Sequence, residues 1–216
     1  MSIFDLNYID NELKKVSPYK TKEIDLLCKR LIKEKVDVSF LRDYCLERNE
    51  YHRIYFQVSL AYLDYIEQFK FLEDNFENLQ DWWHVDQLNQ FLKVKDFDFL
   101  FNKAKVYSNS DLVFVRRLAY VLFIPRFVYE KNNFFKIISL LKNDKEYYSI
   151  MAEAWLISYL AMYHPEETYD FINNDYSFKY NIIGKAIQKI CDSHVISDKW
   201  KFKFKELREK YKNKNE

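Results

Sequence analysis

The sequence predicts an all-α fold, built as an α-solenoid with a concave groove. Three observations lead there. The 216 residues contain a single glycine; apolar residues recur at helical spacing; and the centres of the most apolar helices recur at intervals of 29 to 35 residues. A phosphate-cradling loop or dinucleotide-binding turn needs glycines close together, and Gly184 stands alone. Many-stranded β folds rely on glycine at turns and bulges and are disfavoured for the same reason. Hydrophobic residues make up 49% and charged residues 31% of the chain, enough apolar surface for a core and too much for disorder.

Taken in order, Tyr51 to Phe69 reads as one helix with a wide apolar stripe (Ile54, Val58, Ala61, Leu63, Tyr65, Ile66). Asp111 to Ile124 repeats the pattern through Leu112, Val115, Leu118, Ala119 and Leu122. It opens on the capping cluster Asn109-Ser110-Asp111 and stops at Pro125. Tyr147 to Tyr163 follows with Ile150, Ala154, Ile157 and Leu160, closing before His164-Pro165; Tyr180 to Cys191 is a fourth such helix. Trp200 to Glu216 is a last amphipathic helix with a polar tail. The lysines near the C-terminus (Lys199, Lys201, Lys203, Lys205) solvate a helix, with phosphate contact as the lesser option. Polar joints such as Lys142-Asn143-Asp144 and Asn173-Asn174-Asp175 separate about a dozen helices.

The helix centres fall near Ser59, Leu88, Ala119, Ala154 and Ala186. Two helices and their joints occupy such a period, and a pair this small buries too little core alone, so pairs must stack. One domain over residues 1–216 is expected, with an ordinary helical bundle as the competing architecture.

Charge nearly cancels: 34 basic against 33 acidic residues give a net +1. Nucleic-acid binding would therefore depend on a local patch. The three cysteines (Cys28, Cys45, Cys191) lack metal-ligand spacing and read as core fillers in a reducing compartment. With no leader pattern at Met1–Asp5 and no membrane-spanning run, the expected location is cytoplasmic. His52, His84, His164 and His194 form no zinc set, and no serine–histidine nucleophile motif exists. No cofactor, metal or membrane partner is expected.

Three places could hold chemistry. Asp81-Trp82-Trp83-His84-Val85-Asp86 puts Trp82 and Asp86 four residues apart, on one helix face. An indole beside a carboxylate suits a flat cationic ligand; the plainer reading makes both tryptophans core and gives Asp86 a backbone or arginine partner. Arg116-Arg117 interrupts an apolar helix, which calls for a phosphate or carboxylate partner, or else for a solvated face with buried stems. Trp155 follows Ala152-Glu153-Ala154, small residues that allow close helix approach, with core packing as its alternative. Glu153 would place an acid near the groove.

Together these segments resemble the AlkD-type DNA alkylation-repair glycosylases, a family of HEAT-like repeat proteins. Trp82-Trp83-His84-Val85-Asp86 is similar to the family's tryptophan four residues before a catalytic aspartate. Phe114-Val115-Arg116-Arg117-Leu118-Ala119 is similar to its aromatic-x-x-Arg-x-Ala segment. Tyr147 to Leu156, followed by His164-Pro165-Glu166, is similar to its Ala-x-x-Trp helix and the Pro-Glu that opens the next. The resemblance implies a HEAT-like solenoid that hydrolyses the N-glycosidic bond of N3- or N7-alkylpurines in double-stranded DNA. Asp86 would be the catalytic carboxylate, Trp82 and Trp155 would line the lesion, and Arg117, with Arg116 beside it, would contact the DNA. Only 81 residues precede Trp82, and Val16-Ser17-Pro18-Tyr19-Lys20 does not match the family's N-terminal turn. The resemblance is therefore to a divergent branch with a shortened N-terminal DNA-binding region. The alternative within the family is a non-catalytic repeat protein with weak or no DNA binding.

Overall fold

The computed structural model describes residues 5–15, 20–175 and 177–215. Of the turn considered at Val16–Lys20, residues 16–19 lie outside them. Helices make up all the regular structure of the described residues, and no strand occurs among them. No described helix is long and apolar enough to cross a membrane. The chain divides into two compact units, Met1–Val94 and Lys95–Glu216.

In the first unit, α1 (Leu6–Lys14) starts at Asp5, whose carboxylate accepts the Tyr8 N–H at 2.9 Å. Buried Glu12 on α1 pairs with Lys15 and with Arg30 of α2 (Thr21–Lys33). With so little glycine, α2 ends on a lysine: Lys35 takes φ 55°. Its N–H donates to Ile32 O (3.1 Å), and that of Val36 donates to Leu31 O (3.0 Å). This is the Schellman pattern, which usually selects glycine at the left-handed residue.

After a 3-10 turn (Ser39–Tyr44) comes α3 (Asn49–Ala61), the centre of this unit, packed against α2, that turn and α5 (Trp82–Leu88). The single helix expected over Tyr51 to Phe69 is two. Asp64 forms a reciprocal capping box with Glu67 and starts α4 (Tyr65–Glu73), so Leu63 lies between helices.

The second unit comprises α6 (Phe97–Tyr107), α7 (Val113–Val121), α8 (Phe134–Ile138), α9 (Tyr147–Tyr163), α10 (Pro165–Asn174), α11 (Tyr180–Asp192) and α12 (Asp198–Asn215). Helix α9 packs on α7 and α11; α6 lies on α7, α10 on α9, and α12 on both α11 and α10. The result is two layers, with α7, α9 and α11 in one row. The centre helix α9 buries Ile150, Ala152, Ala154, Leu156, Ile157, Leu160 and Ala161 around its circumference. Gly184 on α11 allows close packing: a Cβ there would meet the Tyr180 ring at 3.3 Å.

The expected limits of α9 and α11 agree with the structure to within a residue. Helix α7 ends short of the expected Ile124. From Leu122 onward the backbone tightens into i→i+3 bonds (Phe123 N–H to Tyr120 O, Ile124 N–H to Val121 O, both 3.2 Å) ahead of Pro125, which has no N–H to continue a helix. Helix α12 runs on through residues expected as a tail, anchored by buried Phe204, Leu207 and Tyr211; the Tyr211 hydroxyl donates to Phe178 O at 2.7 Å. The helix centres near Ser59, Leu88, Ala119, Ala154 and Ala186 fall on α3, α5, α7, α9 and α11, every second helix of the chain.

Candidate active site

Helix α5 has only seven residues, too few to hold an orientation without support from beneath. Asp81 caps it, its carboxylate accepting the Trp82 N–H at 2.6 Å. The adjacent indoles then part as the helical rotation requires. Trp82 is 48% exposed. Trp83 turns to the histidines, its ring 4.7 Å from His84 and 5.5 Å from His52, edge-on to both. Asp86, one turn after Trp82, is half-buried. The indole and the carboxylate thus share one accessible helix face.

The opposite face of α5 is held by a buried polar chain. His52 and His84 stack with centroids 3.7 Å apart and planes within 7°. Gln87 Nε2 lies 2.8 Å from His52 Nδ1, and His52 Nε2 lies 3.1 Å from Asn78 O. A carbonyl only accepts, so His52 Nε2 carries the proton and its Nδ1 accepts from the Gln87 amide. The Gln80 N–H donates to His84 Nδ1 at 3.2 Å. Burial, with His84 beside it, pushes the His52 pKa down to about 3; burial also lowers that of His84, against the pull of Asp81.

Arg53, almost fully buried on α3, completes the network. Its Nε donates to Asp25 Oδ1 (2.8 Å), Nη1 to Gln87 Oε1 (3.1 Å) and Nη2 to Gln90 Oε1 (2.9 Å). Arg53 is not among the residues expected at the site, although the sequence carries a signal for it: His52-Arg53 interrupts an apolar stripe much as Arg116-Arg117 does.

In the second unit, neither arginine of α7 forms a solvated face. Arg116 Nε donates to Asp144 Oδ2 at 2.6 Å, and its Nη1 donates to Ser110 O (2.9 Å) and Asp111 O (3.1 Å). It clips the loop before α7 to the loop before α9. Burial alone would raise the Asp144 carboxyl. Arg116 and the N–H groups of Glu146 and Lys145 outweigh that and hold it at about 2. Arg117 is 5% exposed and its Nη1 donates to Tyr148 O at 3.0 Å, on the first turn of α9. Trp155 lies two turns further along that helix, half-buried, its ring 6.0 Å from Tyr159. With Ser158, Tyr159, Met162, Lys189, Asp192 and Ser193 it lines an open cleft of about 330 Å³. Glu153 does not face a groove. It is fully buried, accepts the Lys142 N–H at 2.8 Å, and burial raises its carboxyl pKa.

The cysteines are unlinked. Burial pushes the Cys28 thiol up to about 12 and Cys45 up to about 11. Among the described residues no cluster of three or more histidine, cysteine or acidic side chains could hold a metal ion.

The sequence model of the family described as DNA alkylation repair enzyme matches residues 13–190, most of the chain. This protein belongs to that family. Trp82, Asp86, Arg116, Arg117 and Trp155 all fall within the matched span. Curated proteins and solved structures return no match. Family membership connects the chain to repair of alkylated DNA.

Proposed function

We propose that the protein is a DNA glycosylase that hydrolyses the N-glycosidic bond of N3- or N7-alkylated purines in double-stranded DNA. The observation that supports this most is the Trp82–Asp86 face: an exposed indole and a partly exposed carboxylate one turn apart on a helix braced from below, in a member of this family. An alkylated purine is already cationic, so it departs with the electron pair of the glycosidic bond as a neutral base. Positive charge then builds on the sugar as an oxocarbenium-like ion. Asp86 stabilises that charge and orients the water whose oxygen bonds to C1′, while the displaced proton passes to Asp86 or solvent. The Trp82 face attracts the cationic nucleoside.

By resemblance, Trp155 also contacts the lesion and Arg117 the DNA backbone; backbone contact by either α7 arginine has to compete with its internal partner, Tyr148 O for Arg117 and Asp144 for Arg116. A HEAT-like solenoid over residues 1–216 as a single domain belongs to this reading, supported by the family and by the α7–α9–α11 row of the second unit. So does a cytoplasmic location, which suits the buried thiols.

The test is single-turnover release of methylated purines from duplex DNA. Asp86→Asn should lose release by at least about 100-fold while keeping its helical circular dichroism; wild-type protein that releases no alkylated base refutes the proposal.

One observation favours a second reading, a non-catalytic DNA alkylation repair family member: both α7 arginines are spent on internal acceptors, on a chain of net charge +1. It requires little duplex affinity even at low salt. Tight binding with a steep salt dependence excludes it.

A further inference from the structure

We infer that Arg53 is the positioning residue for the Trp82–Asp86 face. The inference rests on those two residues acting as proposed above. Helix α5 is two turns long and cannot hold its own orientation. The Arg53 guanidinium holds the C-terminal end of α5 through two residues that follow Asp86: Gln87, next to it in the helix, and Gln90, in the turn beyond. Its third bond goes to Asp25 on α2, which supplies the counter-charge a buried guanidinium requires. The Phe91 ring lies 5.1 Å from the guanidinium carbon, so the turn after α5 is held by that face as well.

The chain does not stop at Arg53. Because Gln87 Oε1 accepts from Arg53, its amide nitrogen is directed to His52, and the opposite nitrogen of His52 is directed to Asn78 O, ahead of α5. One guanidinium thereby sets the orientation of the Gln87 amide and the tautomer of His52, and with them both ends of α5. A lysine keeps the charge beside Asp25 but cannot span Gln87 and Gln90 with a planar fork. Arg53 touches neither base nor sugar; it acts through where it holds the indole and the carboxylate.

The test is Arg53→Lys in the full chain, read in two ways. With methylated duplex DNA, the single-turnover rate at saturating protein should fall by about tenfold or more with DNA affinity nearly unchanged. In the spectrum of ¹⁵N-indole tryptophans, the resonances of Trp82 and Trp83 should shift or broaden while those of Trp155 and Trp200 stay. Trp82 is assigned by its loss in Trp82→Phe. General destabilisation would not select those two rings. If Arg53→Lys does not fold, Gln90→Ala, at an exposed position, removes one arm of the fork and should move both readouts the same way by a smaller amount. A rate within twofold of an active wild type overturns the inference. Wild type inert on every alkylated base refutes the proposed function instead, and unmoved Trp82 and Trp83 resonances then overturn this inference separately.

Discussion

Arg116 Nε and Asp144 Oδ2 lie 2.6 Å apart, with side chains only 16% and 7% exposed, and join the loop that precedes α7 to the loop that precedes α9. A guanidinium and a carboxylate so nearly removed from water are costly to separate. Asp144→Asn should destabilise the protein by about 2 kcal/mol in urea unfolding, because it leaves Arg116 without its counter-charge. The folded pKa of about 2 lies below the unfolded value of about 3.8. The contribution is therefore complete above about pH 4 and is lost as pH falls through 2. Equal stability of the two proteins at pH 7 would show that the pair contributes nothing net.

The stacked His52 and His84 make a second acid-sensitive element at higher pH. The fold disfavours the proton on both, so each binds protons more readily once unfolded, below about pH 6.5. Stability should fall with decreasing pH from about 6.5, by up to about 1.4 kcal/mol per pH unit for His52, until its folded pKa near 3 is reached. His52→Gln should flatten that slope between pH 6 and 4 in urea titrations, and an unchanged slope would contradict the assignment.

Glu153 titrates with the opposite sign. Its raised pKa means that the fold favours the protonated acid, so ionisation near neutral pH works against stability. Glu153→Gln keeps the shape and the acceptor for the Lys142 N–H. It should stabilise the protein at pH 7, with the gain shrinking as the pH falls into the ordinary carboxyl range. Destabilisation at pH 7 would mean that the carboxylate charge is needed inside.

The adjacent tryptophans should separate function from stability. Trp82 is half-exposed, so Trp82→Ala should shift the unfolding free energy by less than about 1 kcal/mol while cutting base release. Trp83 packs edge-on to two histidines, and Trp83→Ala should cost about 2 kcal/mol or more. Equal thermal shifts for the two variants would refute the assigned orientations.

Much of the fold was legible because helical periodicity is written in local spacing. The apolar stripe of Tyr147 to Tyr163 ended one residue before His164-Pro165, where α9 ends. Boundaries set by a side chain doing something specific were harder: Asp64 reads as an ordinary polar residue until its bond to the Glu67 N–H splits the stripe into α3 and α4. At the site, the shared face of Trp82 and Asp86 follows from a spacing of four. Which of Trp82 and Trp83 faces water does not, since that depends on where the histidines lie.

The sequence by itself determined the helical class, the recurrence that falls on every second helix, and the residues bearing the family pattern. These are properties of neighbours along the chain and of residue chemistry. Only the tertiary structure decided that Arg116 closes on Asp144, that Glu153 turns inward, and that Arg53 reaches Gln87, 34 residues away. The partner of a buried charge is chosen by what packing brings beside it, because a desolvated ion takes whatever counter-charge or dipole the neighbouring helices present.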